Sequence, residues 1–155
     1  MKIAIGGDHG GFDLKEKIKL ILKSKNHDVV DLGAHEYNST DDYPDFCYPV
    51  AKMVSDNEAD KGIISCMSGI GAVITANKVK GARAGLCHTE YLARQGVEHD
   101  DMNILCIGSK IVDHNIIENI IDEFLDAKFL TDEKYSRRLN KVCLLYTSPS
   151  PRDPW

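Results

Sequence analysis

The sequence has no CxxC pair, and its five cysteines (47, 66, 87, 106 and 143) are odd in number and far apart. That spacing argues against a zinc site or a thioredoxin-like motif, and it fits a reducing cytoplasm. No apolar run approaches the ~20 residues of a membrane-spanning helix. There is no long basic run and the formal net charge is −5, which disfavours nucleic acid as a partner. The GxGxxG pattern of dinucleotide-binding turns is missing too. "GGDHGG" has glycines, but Asp8 and His9 fill its middle. The opening "MKIAIGGDHGG" holds only a short apolar run and reads as a first strand, not a signal peptide. Internal repeats are absent.

What is present suits one domain. A chain of 155 residues buries roughly 70% of its unfolded surface around a single core, so disulfide staples are unnecessary. Short β-branched runs alternate with segments of helical period. "KIAI", "DVVDLG", "KGIISC", "ARAGLC" and "NILCIG" read as five strands. Phe12, Leu14, Ile18, Ile21 and Leu22 form one helical stripe; Ile116, Ile117, Ile120, Ile121 and Phe124 form another. "YPDFCYPVAKMVSD" has helical spacing, with Pro49 expected to delay its start. "GAVITANKV", "TEYLARQGVEH" and the basic "DEKYSRRLNKV" complete the helices. The alternation predicts a three-layer α/β/α sandwich around a five-stranded, parallel, Rossmann-like sheet.

In such sheets ligands bind beyond the carboxyl ends of the strands. Asp8 and His9 follow the first strand, Cys66 ends the third, His88 follows the fourth, and Gly108 to Lys110 follow the fifth. The final "CLLYTSPSPRDPW" (143–155) has three of the five prolines and no period. It reads as a disordered or artefactual extension, similar to translated adapter sequence, outside a domain spanning 1–142.

Cys66 opens "CMSGIGAV". A free cysteine at a strand end is most simply a small buried hydrophobe. A glycine-bearing turn and a helix N-terminus after it give a second reading: a thiol with a lowered pKa beside a row of backbone amides. Such amides can stabilise an oxyanion while the thiol moves a proton. Asp8 suits a helix cap as well as a ligand contact. His99 is either a surface histidine or a proton-donating acid. The basic face of the last helix is a solvated surface or a phosphate grip.

Five motifs together resemble the type B ribose-5-phosphate isomerases and their galactose-6-phosphate isomerase relatives. They are "KIAIGGDHGGFDLKE", "DYPDF", "KGIISCMSGIGAVITANKVKGARAGLCH", "EHDDMNILCIGSKI" and the late basic helix, covering about residues 1–142 in order. The resemblance implies aldose–ketose isomerisation of a phosphorylated sugar, ribose 5-phosphate to ribulose 5-phosphate foremost. Allose or galactose 6-phosphate is the alternative substrate. By position, Cys66 is the proton-transferring base and His99 the ring-opening acid. Asp8, His9 and Tyr43 contact substrate. The amides of Met67, Ser68, Gly69, Ile70 and Gly71 hold the enediolate oxygen. Asp100, Lys110, Lys134 and Arg138 stand at substrate or phosphate positions. No metal or organic cofactor is implied. A homodimer with shared active sites is.

Some positions depart from the family pattern. Met67 and Ser68 stand for glycine and threonine, and Asp100 for asparagine. Lys110 and Lys134 stand for arginine, which keeps the charge but loses the bidentate fork. Met67 would strain the turn at a positive φ. A sugar-phosphate sensor without turnover is the competing reading from another class, and a redox thiol protein a third.

Overall fold

The computed structural model describes residues 1–145. Five strands, β1 (Lys2–Gly7), β2 (Asp28–Asp31), β3 (Lys61–Cys66), β4 (Ala84–Leu86) and β5 (Ile104–Gly108), form one sheet in the order β2-β1-β3-β5-β4. Every neighbouring pair is parallel. The helices are α1 (Phe12–Ser24), α2 (Pro44–Ser55), α3 (Ile70–Ala76), α4 (Glu90–Asp100), α5 (Ile117–Asp126) and α6 (Glu133–Leu144).

The sheet separates two apolar clusters, which makes the predicted three layers. On one face Leu14, Ile18 and Leu22 of α1, Ala93 and Val97 of α4, and Ile117, Ile120, Ile121 and Phe124 of α5 pack on Ile3, Ile5, Ile63, Leu105 and Ile107. On the other, Cys47, Val50, Ala51 and Val54 of α2 and Ala72 and Ala76 of α3 pack on Ala4, Ile64, Ile104 and Cys106. The central strands β1, β3 and β5 alternate between the two clusters, which explains their nearly continuous apolar runs.

Two expectations change. Pro49 does not delay α2: the helix begins at Pro44, and Pro49 lies inside it. Proline at the first position needs no N–H partner, and the fixed φ of Pro49 is helical. α6 continues through Cys143 and Leu144, two residues past the expected boundary. The rest of the expected disordered tail, from 146 on, lies outside the described residues.

Lys15 is a buried charge that the apolar stripe of α1 conceals. It is 1% exposed, and its Nζ donates to both oxygens of Asp31 at the end of β2 (3.0 and 2.8 Å) and to Glu16 (2.8 Å). Lys19 donates to Asp31 as well, at 2.7 Å. Burial alone would raise the Asp31 carboxyl. The bonds from Lys15, Lys19 and the Gly33 N–H outweigh it and bring the pKa down to about 2.

Candidate active site

The chain leaves β1 for β2 on one side, then crosses to β3 on the other. The carboxyl ends of β1 and β3 therefore bound a switch-point crevice, where open α/β sheets bind ligands. Asp8 and His9 stand on one lip and Cys66 on the other. The loops around them are stitched together. Ser65 Oγ donates to Gly11 C=O (2.8 Å), Ser109 Oγ to Gly10 C=O (2.6 Å), Ser109 N–H to Cys66 C=O (2.8 Å), and Lys110 N–H to Met67 C=O (3.1 Å). His88 Nε2 accepts the Gly108 N–H at 2.8 Å, which makes Nδ1 the protonated nitrogen of the neutral ring.

The turn after Cys66 wraps its amides around the sulfur. Gly69 N–H donates to Cys66 Sγ at 3.0 Å, and the nearby Ser68 and Ala72 amides favour its thiolate form. Gly69 is the residue with a positive φ (84°), so the left-handed step falls on a glycine. Met67 has no positive φ and carries no such strain. Its backbone packs on Gly10, where an added Cβ would come within 3.0 Å of the Met67 Cβ. Met67 and Ile70 are exposed at the rim. Gly71 makes room for Tyr43, whose ring would lie 2.7 Å from a Cβ there.

The expected lowering of the thiol pKa does not occur. Burial pushes the Cys66 thiol up, the amides of Ala72, Gly69 and Ser68 pull it down, the Asp8 charge pushes it up again, and the net shift is upward. α3 has only seven residues, a short dipole against this desolvation. Asp8 is itself raised by burial, despite the bond its Oδ1 accepts from the Gly11 N–H at 3.2 Å. That bond also makes Asp8 the cap it was read to be, closing the 3-10 turn His9–Gly11.

Asp41 was not singled out from the sequence, because 32 residues separate it from His9. Its Oδ1 accepts both the His9 backbone N–H (3.0 Å) and the ring Nδ1 (2.6 Å). Asp8, His9 and Asp41 thus bring three potential metal-ligating atoms within 4.8 Å of one another, a grouping that no local spacing reveals.

His99, Asp100, Lys134 and Arg138 lie elsewhere. α4 is capped by Thr89, past the carboxyl end of β4, and runs back antiparallel to the strands. At its far end, Asn103 N–H donates to Arg83 C=O just before β4, and Gly62 N–H donates to Asn103 C=O at the start of β3. His99 and Asp100 occupy the last turn of this eleven-residue helix, about 16 Å along from its start. They sit toward the amino edge of the sheet, whereas Cys66 sits at the carboxyl edge. His99 stacks on Tyr135 of α6 at 4.4 Å, and its Nδ1 accepts from Gln95 Nε2 at 2.9 Å. Lys134 and Arg138 are on the same helix as Tyr135. A groove of about 800 Å³ runs along the β4 edge between α4 and α6, lined by Leu86, Leu92, Asp100 and Arg138 among others, and Cys66 does not line it. One chain therefore holds two separated clusters, with the thiol and loops in one and the histidine and basic helix in the other.

An open parallel sheet with a thiol and converging amides at its switch point defines a ligand-binding protein of the three-layer α/β class. The chain belongs to the Ribose/Galactose Isomerase family, whose profile matches residues 3–142. It is similar to ribose-5-phosphate isomerase B of Clostridium thermocellum, with a TM-score of 0.89, 42% identity, and coverage of 94% of this chain and 97% of that one. The Mycoplasma genitalium ribose-5-phosphate isomerase B structure, solved with bound ribulose-5-phosphate, gives a TM-score of 0.87 at 40% identity, covering 92% of this chain and 94% of the other. A galactose-6-phosphate isomerase subunit of Clostridium acetobutylicum is 44% identical over 129 residues, 83% of this chain and 74% of that protein. Among the described residues, no helix is long and apolar enough to cross a membrane.

Proposed function

We propose that the protein interconverts ribose 5-phosphate and ribulose 5-phosphate through an enediolate, with Cys66 as the base. The observation that carries this reading is the Cys66 sulfur at the switch point, bonded by the Gly69 amide at 3.0 Å. In the open-chain aldose, the thiolate takes the proton from C2. The C2–H electrons form the C1–C2 double bond, and the C1 carbonyl electrons move onto O1. A proton passes from O2 to O1, and the thiol returns its proton to C1 to give the ketose. Turn amides that favour a thiolate also suit a neighbouring oxyanion. The raised thiol pKa leaves little thiolate at neutral pH but makes each thiolate a stronger base.

In this reading the protein is a homodimer, and each active site joins one chain's Cys66 half to the partner's His99 half. The opposite placement of the two halves supports this, as do the exposed Ile70 and Ile74 on α3 and Leu92 on α4. His99 assists ring opening. Lys110, Lys134 and Arg138 supply charge for the phosphate. The 44% identity to a galactose-6-phosphate isomerase subunit supports a six-carbon substrate as the second reading.

The test is a panel of ribose, allose and galactose phosphates in a ketose-forming assay, with Cys66→Ala beside the wild type. The expected result is fastest turnover of ribose 5-phosphate, reduced by about 10²–10⁴-fold in the variant while sugar-phosphate binding persists. Binding of all three without turnover would establish a sensor instead. Near-normal turnover in Cys66→Ala would remove Cys66 as the base.

A further inference from the structure

The His9–Asp41 pair has a geometry that simple loop packing does not require. We propose that Asp41 is a positioning residue of the site, holding His9 as an imidazolium whose Nε2–H is kept for the phosphate of the substrate. The inference rests on the sugar-phosphate reading above.

Three observations carry it. Asp41 Oδ1 takes the His9 backbone N–H and ring Nδ1 together, fixing both the residue's position and the ring's rotation. The Asp41 side chain is 8% exposed, and its Oδ2 is buried without a hydrogen-bond partner. His9 is the cation-forming group this carboxylate contacts, and an unpaired buried charge is costly. With Nδ1 engaged, Nε2 is the ring's remaining nitrogen. A neutral ring with its proton on Nδ1 would offer a phosphate only a lone pair; an imidazolium offers a donor. The groups facing His9 agree in sign. Asp41 and Asp8 are acidic, and Tyr37 places its ring edge-on at 6.3 Å. The Asp41 hydrogen bond is the largest reason the His9 pKa is raised.

The experiment compares wild type, Asp41→Asn, and Asp42→Asn as an exposed neighbouring control. NMR follows the His9 ring through a pH titration, with inorganic phosphate and ribose 5-phosphate as probes and His9→Gln for assignment. In Asp41→Asn the His9 midpoint should fall. At a pH between the two measured midpoints the KM for ribose 5-phosphate should rise, by up to about tenfold, the worth of one charge-assisted bond, with kcat little changed. Well below both midpoints, where both rings are protonated, the KM difference should largely vanish. Asp42→Asn should match wild type. An unchanged His9 midpoint, or a KM defect equal at both pH values, overturns the proposal. If Asp41→Asn does not fold, the wild-type ring decides: a His9 midpoint no higher than that of an ordinary histidine, or signals that phosphate leaves unmoved, overturns it. Absence of turnover in the wild type, with the midpoint shift and phosphate response intact, would sink the isomerase reading and leave the pair standing.

Discussion

Asp8 and Cys66 are next neighbours across the crevice. The last register pair of β1 and β3 is Gly7 with Ser65, and each strand's following residue is one of these two. Burial is the main reason the Cys66 thiol is raised, and the Asp8 charge adds to it. Replacing Asp8 by Asn should therefore lower the thiol pKa. Alkylation by iodoacetamide, followed by mass spectrometry from pH 6 to 10, should show a midpoint displaced to lower pH in Asp8→Asn. A midpoint that stays put or rises would mean that the carboxyl is neutral or faces away from the sulfur.

The Lys15–Asp31 pair makes a prediction about acid stability. The Asp31 carboxyl falls from an ordinary 3.8 to about 2 on folding. A depressed carboxyl stabilises the fold above its unfolded pKa and loses that contribution as pH drops through the folded one. The shift is worth about 2 kcal/mol at neutral pH, lost between roughly pH 4 and 2. Asp31→Asn should destabilise the protein at pH 7 by at least this amount, because Lys15 is left buried with only Glu16 and its positive charge under-compensated. Denaturant unfolding at pH 7 and pH 3 checks it. The gap between variant and wild type should narrow at pH 3; a gap independent of pH would place the shift elsewhere.

Activity should survive chelators, even though Asp8, His9 and Asp41 approach one another within 4.8 Å. His9 Nδ1 is already bonded to Asp41 at 2.6 Å, and a cation would have to displace that bond before using either atom. Dialysis against EDTA and phenanthroline should leave turnover of ribose 5-phosphate unchanged. A loss restored by zinc or manganese would assign the cluster to an ion.

The layers of the fold were legible because β3 and β5 are short apolar runs and α5 places Ile117, Ile120, Ile121 and Phe124 at helical spacing. Cys66 was legible as a strand-end residue before glycines. What local sequence could not express was burial and long-range pairing. The thiol pKa was expected to fall because the helix behind it is visible in the sequence, whereas the desolvation that outweighs it comes from the assembled core. Asp41 reaches His9 across 32 residues of chain. The burial of Lys15 is not expressed locally either, because Asp31, its partner, belongs to a different element. Pro49 looked like a helix delay because the residue that starts α2, Pro44, is itself a proline.

The separation of Cys66 from His99 has the most direct functional consequence. Cys66 ends β3 at the carboxyl edge, and His99 lies at the far end of α4, stacked on Tyr135. If both act on one substrate, the histidine must come from a second chain. Two-fold symmetry then creates two equivalent sites, each drawing on both chains. Cys66→Ala and His99→Ala homodimers should each be nearly inactive. In a mixed dimer one site collects both lesions and the other is intact. Random pairing makes half of the dimers mixed, each with one working site of two, so co-refolding equal amounts should restore about a quarter of wild-type activity. Native mass analysis measures the mixed fraction alongside the assay. Mixed dimers that form in that proportion but remain inactive would show that the two residues do not serve one shared site, and the ring-opening acid would then have to be sought among groups on the Cys66 side, where His9 and His88 stand.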